Sequence, residues 1–484
     1  MNYKIIGKFV GKILLVEAVF MLPALFISIS KSENNSIFGF SCSIIVTTLL
    51  GLSLMLGCKN AKKVFYAKEG MVCVAISWFL LSFAGAFPFY ISEEIPLFID
   101  ALFETVSGFT TTGASILLEV EELPMGLLYW RSFTHWLGGM GVLVFVLAIA
   151  NGDKSRGGFA MHLLRAESPG PKVGKLVPKM KTTAEILYAM YIALTILNVI
   201  FLLLGGMPLF DSLCTAFGTA GTGGFGIKND SIAGYSPYIQ NVCTVFMLLF
   251  GVNFSCYYFI FIGNIKAIFK DEELRLYLGL VISSIVCITW NIYKSYNDFG
   301  EALRHAAFQV ASIITTTGFA TTDFDSWPSF SKTILLFLMV VGACAGSTGG
   351  GFKCGRALLV FKNLKRNIKH SLHSKSVEVI RVNNHVIEEK VLETTNAYLA
   401  AYVFIILASV IIVSLDNFSV TTNITAVLAT FNNIGPGLEA VGPTCNFAGF
   451  GDISKLVLIL DMLAGRLEIF PIMVLFLRST WRYK

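Results

Sequence analysis

The sequence predicts an all-α polytopic membrane protein, and three observations carry that prediction. The chain of 484 residues is 55% hydrophobic and only 14% charged, with a mean hydropathy of +0.70. Apolar runs close to the roughly 20 residues that cross a bilayer follow one another along it. Between two of them stands a short polar loop with glycine, TTTGAS from Thr110, that is written in nearly the same letters again as TTTGFA from Thr315. An ordinary water-soluble globule is excluded by this composition.

Apolar windows of bilayer length number about ten, near residues 8–29, 38–58, 70–91, 127–150, 184–205, 238–263, 274–293, 331–361 (interrupted), 397–415 and 453–478. The first follows Lys4 and Lys8 and lacks a small-residue cleavage site, so it reads as a retained helix and not a signal peptide. The ten cysteines stand singly, without a CxxC pair, which indicates neither a zinc site nor a disulfide framework. Basic residues gather in alternate connections: Lys59, Lys62, Lys63 and Lys68 in one, then Lys154, Arg156, Arg165, Lys172, Lys175, Lys179 and Lys181 in another. Retained positive charge sets such loops on the cytoplasmic side. Continuing the alternation puts Lys266, Lys270, the run from Lys362 to Lys390 and both termini there too. The opposite connections carry Glu33, Glu93, Glu94, Glu119, Glu121 and Glu122. Singly these are a solvated face; together they raise the local concentration of cations.

Internal repetition is the most informative signal. Aligning each span, short amphipathic segment, loop and following span gives four matching units, whose loops read ETVSGFTTTGAS from Glu104, TAFGTAGTGGFG from Thr215, VASIITTTGFAT from Val310 and ATFNNIGPGLEA from Ala429. The aligned triplets are Thr111, Thr112, Gly113; Thr222, Gly223, Gly224; Thr316, Thr317, Gly318; and Asn433, Ile434, Gly435. Segments such as FIDALFETVSGF and EALRHAAFQVASII are too short to span but long enough for a helix that enters the membrane and stops. Irregular backbone at that depth is tolerated only inside protein or beside an aqueous cavity. The C-terminal end of each half-helix carries about half a negative elementary charge and favours a cation. Glycine after the polar pair lets consecutive carbonyls face one axis. Four such loops around that axis make a ring of oxygens that replaces the hydration shell of a permeating ion. A single Thr-Gly loop is an ordinary turn; four in the same frame argue against that.

The residues resemble the Trk/Ktr/HKT superfamily of potassium transporters, and within it the TrkH-type membrane subunit. Beyond the loops, the resemblance rests on RSFTHWLGGMGVLVFVLAI (Arg131 to Ile149), LLRAESPGPKVGKLVPKMKTTA (Leu163 to Ala184), GVNFSCYYF with KDEELRLYL, GACAGSTGGGFK (Gly342 to Lys353), NNIGPGLEAVGP and AGRLEIFPIMVLF (Ala464 to Phe476). Two spans precede the first unit, as in the TrkH branch. The resemblance implies two N-terminal transmembrane helices and then four pseudo-symmetric helix, pore loop, helix repeats around a central pore. It makes the twelve triplet residues a potassium-binding filter.

Five glycines in GACAGSTGGGFK each cost a helix about 1 kcal/mol relative to alanine, so the helix should break there. A phosphate-binding loop is excluded because Phe352 intervenes between Gly351 and Lys353 and no strand precedes. A kink remains open on sequence grounds. The resemblance implies a gate below the filter, with Gly342, Gly346, Ser347, Thr348, Gly349, Gly350, Gly351 and Lys353. Arg466 is the second anomaly, since a charge inside a span costs at least ~2.5 kcal/mol on insertion scales. Pairing with Asp461 or Glu468 is the plainer account; the resemblance implies a pore-facing arginine that forms one barrier with the loop. His135 and His305, near membrane boundaries, read as hydrogen-bonded structural residues. Similar TrkH sequences often carry Gln in place of His135.

The expected organisation is a two-helix region at 1–65, pore repeat one at 66–152, a cytoplasmic loop at 153–183, repeat two at 184–270, repeat three at 271–361 with the gating loop at 342–353, a cytoplasmic segment at 362–393 and repeat four at 394–484. Function follows as potassium uptake across the bacterial cytoplasmic membrane, with no enzymatic activity, since no catalytic constellation stands at membrane depth. A Na⁺- or H⁺-coupled symporter on the same architecture, or the translocating subunit of an ion pump, stays open. By resemblance, two chains form a homodimer regulated by a TrkA-type cytoplasmic subunit that alone carries ATP/ADP or NAD(H). This chain holds no cofactor and takes no nucleic acid; its partners are the potassium ion, the lipid membrane and that subunit. Asn151 to Thr183 and Lys362 to Glu393 are the expected docking segments.

Overall fold

A computed structural model describes residues 1–59, 66–141, 180–296, 298–373 and 378–481. Most of the expected basic loop falls outside these residues: Lys62, Lys63, Lys154, Arg156, Arg165, Lys172, Lys175 and Lys179, with docking residues 151–179 and the terminal Arg482 and Lys484. The described chain is mostly helical. Helices α1 (Tyr3–Phe20) and α2 (Leu22–Lys31) run on through a bend at Met21, where Pro23 opens the second helix. Against them packs α3 (Asn34–Gly57). The crossing is close because Gly11 and Gly51 face each other: a methyl on either would stand 2.7 or 2.9 Å from the other's carbonyl oxygen. Small residues let helix backbones approach where lipid supplies no hydrophobic drive.

One order of elements then recurs. A long helix leads to a short one, a loop, and a further helix. The first set is α4 (Ala67–Gly85) with α5 (Phe87–Ile91), α6 (Phe98–Phe109) and α7 (Met125–Gly139). The second is α8 (Met180–Leu204), α9 (Leu209–Gly221), then α10 (Pro237–Phe250) and α11 (Phe254–Phe261). After α12 (Ile265–Phe269), the third is α13 (Glu272–Ile292), α14 (Phe299–Ile314), α15 (Ser329–Val341) and, beyond the glycine segment, α16 (Cys354–Leu372). A two-stranded hairpin, Arg381–Val382 with His385–Val386, precedes the fourth: α17 (Glu389–Val413), α18 (Val420–Phe431), α19 (Asp452–Arg466) and α20 (Phe470–Phe476). At 12, 13, 16 and 12 residues, α6, α9, α14 and α18 cannot cross a bilayer at 1.5 Å per residue.

Among the described residues, six helices are long and apolar enough to span, or seven if α10 and α11 count as one. Three of the other expected spans are interrupted helices. Near 331–361 the break is the glycine segment, and near 453–478 it is a turn in which Glu468 and Ile469 both take positive φ, 57° and 64°. The expected continuous run at 238–263 is instead bent by 89° between α10 and α11. Near 127–150, α7 stops at Gly139 and residues beyond 141 lie outside the description.

Candidate functional site

Each short helix ends in the same way. Thr112 N–H donates to Ser107 O at 2.9 Å, Gly223 to Gly218 at 2.9 Å, Thr317 to Ser312 at 2.8 Å and Ile434 to Ala429 at 2.8 Å. The residue before donates three back, as in Thr111 to Gly108 at 3.1 Å and Asn433 to Thr430 at 3.2 Å. This is a Schellman end, which places one residue in the left-handed region. That residue is Thr111, Thr222, Thr316 or Asn433, with φ between 54° and 60°. Glycine is usual there, and a non-glycine residue costs about 1–2 kcal/mol. Two residues on, Gly113, Gly224, Gly318 and Gly435 again take positive φ, 80°, 74°, 86° and 96°. Two left-handed residues flanking one central residue turn each loop sharply away from its helix.

The twelve triplet residues come together, and in cyclic order. A methyl group built on Gly113 would overlap the Gly223 carbonyl oxygen; one on Gly224, that of Thr317; one on Gly318, that of Ile434. From Gly435 it would stand 2.8 Å from Thr112 O, which closes the circuit. Every glycine thus packs against the central carbonyl of the next loop, and only a hydrogen fits. All the threonines and Asn433 are fully buried. Asn433 Nδ2 ties loop four to loop one by donating to Thr112 Oγ1 and to Met462 O, both at 2.9 Å.

Behind loops one and two lies a charged brace that sequence reasoning assigned no role. Arg131 Nε of α7 meets Glu104 Oε1 of α6 at 2.6 Å, with both side chains buried. Glu104 also accepts from Ser115 Oγ and from Ile116 N–H at 3.0 Å. Arg131 donates on to Gly226 O at 2.8 Å and lies 3.6 Å over the Phe225 ring. Its only signal in the sequence was a charge inside an apolar run.

The glycine segment 342–353 lies against the same assembly. Gly350 N–H donates to Thr316 Oγ1 at 2.6 Å, and a methyl on Gly349 would stand 2.8 Å from Thr315 O. The segment is stitched into the α10–α11 break: Cys344 N–H reaches Gly251 O at 3.2 Å, Thr348 Oγ1 reaches Phe250 O at 3.2 Å, and Gly346 O accepts from Phe254 N–H at 3.0 Å. Carbonyls freed where that helix bends therefore find donors inside protein, as membrane depth requires. Glu273 at the start of α13 accepts from Ala345 N–H at 2.5 Å. Lys353 Nζ folds back onto Gly349 O within its own segment. Ser347 Oγ bonds Cys344 O at 2.7 Å, and Gly342 and Gly351 pack on each other where the segment enters and leaves.

Arg466 joins this segment to α7. Its guanidinium donates to Thr348 O at 2.9 Å, to Gly139 O at 2.6 Å and to Gly138 O. The carboxylates weighed as its partners are engaged otherwise: Glu468 with Arg356, and Asp461 with Ser409 Oγ at 2.8 Å. His305 of α14 is bonded to Thr321 Oγ1 at 2.9 Å.

The family of cation transport proteins called TrkH matches residues 36–483. The Trk system potassium uptake protein TrkH of Salmonella typhimurium is 35% identical over 494 residues, with 100% of both chains covered. TrkG of the same system in Escherichia coli is 31% identical over 486 residues, 99% of each. The crystal structure of the potassium transporter TrkH from Vibrio parahaemolyticus is similar over 100% of both chains, with a TM-score of 0.89 at 31% identity. This chain belongs to the TrkH family of cation transport proteins.

Proposed function

We propose that this chain takes up potassium through a single central pore formed by four pseudo-symmetric helix, loop, helix units. The filter is the ring of backbone carbonyls at Thr111 to Gly113, Thr222 to Gly224, Thr316 to Gly318 and Asn433 to Gly435. One observation carries the reading: each loop's glycine meets the next loop's central carbonyl, and the fourth returns to the first. Oxygens held in that order replace water around a dehydrated cation. Four helix C-termini aimed at the same place add negative potential.

Below the ring, the segment 342–353 and Arg466 form the barrier, tied together at Thr348 O. Opening requires Arg466 to release Thr348 and the segment to leave Thr316. The related proteins named for potassium uptake support this substrate, the six long apolar helices support a multi-pass place in the membrane, and the alternation of basic connections is the ground for putting both termini inside. Two such chains pair, and a TrkA-type nucleotide-binding subunit acts on the gate from the cytoplasmic face.

The test is flux in liposomes holding the purified protein under K⁺, Rb⁺ and Na⁺ gradients. Passive movement of K⁺ and Rb⁺ down their own gradients is expected. Absence of both fluxes, with and without the regulatory subunit, sinks the reading, and K⁺ movement only when driven by a Na⁺ or H⁺ gradient running in the same direction replaces the pore with a symporter.

A further inference from the structure

The four loops are not supported from behind in the same way. In loops one and three a hydroxyl pair does it: Thr110 Oγ1 lies 2.8 Å from Thr112 Oγ1, and Thr315 Oγ1 lies 2.8 Å from Thr317 Oγ1. Thr110 and Thr315 each donate onward to the helix carbonyl four residues back, at 2.6 Å. The second loop has glycine at both matching positions, Gly221 and Gly223, and no hydroxyl to offer. His135 of α7 fills that space. A methyl on Gly223 would overlap its imidazole ring, and one on Gly221 would overlap its backbone. The fully buried ring is bonded at both nitrogens. Phe225 N–H donates to Nε2 at 3.2 Å, which leaves the proton on Nδ1, and Nδ1–H donates to Gly108 O at 2.7 Å.

We propose that His135 is the positioning residue of the second filter loop. It stands in for the threonine pair of loops one and three, locks the Gly224–Phe225 peptide to the end of α6, and so sets ion selectivity without touching the ion. The inference rests on the reading of the four loops as a filter. Without the ring, loop two keeps two adjacent glycines, and the Phe225 amide loses its acceptor. Volume alone does not replace it. The job needs one acceptor toward Phe225 and one donor toward Gly108, which glutamine also carries and leucine does not.

The experiment compares full-length wild type, His135→Leu, His135→Ala and His135→Gln in liposomes, reading the ratio of K⁺ to Na⁺ flux. The Leu and Ala variants are expected to lower that ratio about tenfold, the scale of one lost hydrogen bond to a buried amide. Gln restores it. If neither loss variant is recovered folded, Thr317→Val breaks the hydroxyl pair of loop three and must lower the same ratio. A wild-type ratio in His135→Leu or His135→Ala, a Gln variant as poor as they are, or an unchanged ratio in Thr317→Val overturns the proposal. Wild-type protein without K⁺-selective flux sinks the filter reading itself, an outcome visible before any variant is compared.

Discussion

Arg466→Ala is expected to raise basal potassium flux. The guanidinium contributes in two ways. As a cation, it repels a potassium ion that passes within about 5 Å by about 3 kcal/mol at an effective dielectric of 20. At 1.4 kcal/mol for each factor of ten, that alone is about a hundredfold. As a donor, it holds Thr348 O of the glycine segment against the Gly138 and Gly139 carbonyls of α7, and charge-assisted bonds of this kind contribute about 1.5–3 kcal/mol each. Lys353 remains in the segment after the change, so part of the positive field survives. The expected rise is therefore between about ten- and a hundredfold. Arg466→Lys separates the two contributions, since an ammonium keeps the charge but lacks the guanidinium's fork of donors; its flux should fall between wild type and Arg466→Ala. The assay is rubidium uptake into liposomes without the regulatory subunit. Unchanged or lower flux from a folded Arg466→Ala protein would refute the idea that this side chain is part of the barrier.

Other substitutions address the ring and its brace. Gly113→Ser puts a side chain into the Gly223 carbonyl oxygen and should abolish selective flux; native K⁺ selectivity in that variant would reduce the four loops to turns. Asn433→Thr writes the residue of the other loops into the fourth, yet it should lower K⁺ flux, because a threonine hydroxyl cannot reach both Thr112 and Met462 O; a sharper K⁺ preference would count against the amide's bridging role. Arg131→Met leaves Glu104 buried without its cation and should cost about 3–5 kcal/mol. A thermal midpoint in detergent equal to that of wild type would contradict that.

The parts of the site written in local sequence were legible, and those made by distant partners were not. Gly113, Gly224, Gly318 and Gly435 announce themselves because a residue without a side chain recurs at one place in a recurring frame. Thr111 and Asn433 do not announce their left-handed backbone, since neither is the glycine that such a position usually takes. The bend at Gly251 was missed for a different reason: Asn253, which caps the second helix by accepting from Ser255 N–H at 2.9 Å, is a weak signal within an apolar run, and the donors from Cys344 and Thr348 that take the freed carbonyls lie nearly a hundred residues downstream. His135 looked like any boundary histidine. Its partners lie 27 residues before it and 90 after, and no local pattern encodes that pair.

The circuit of loops also governs when the protein can become functional during its own synthesis. Three of the four contacts join loops that follow one another along the chain, but the last joins Gly435 to Thr112, and it is reinforced by Asn433 Nδ2 to Thr112 Oγ1 at 2.9 Å, by Lys455 with Asp100 at 2.5 Å and by Phe447 N–H to Ser115 O at 2.8 Å. Until the C-terminal quarter has been inserted, loop one lacks its neighbour on one side and loop three on the other. A ribosome-bound nascent chain stopped after α16 therefore has an open arc, leaky or unformed, and such long-range closure is the slow kind of contact to make. The closing quarter also supplies Arg466, so on the proposed reading the stretch that completes the ring also brings the arginine of the barrier.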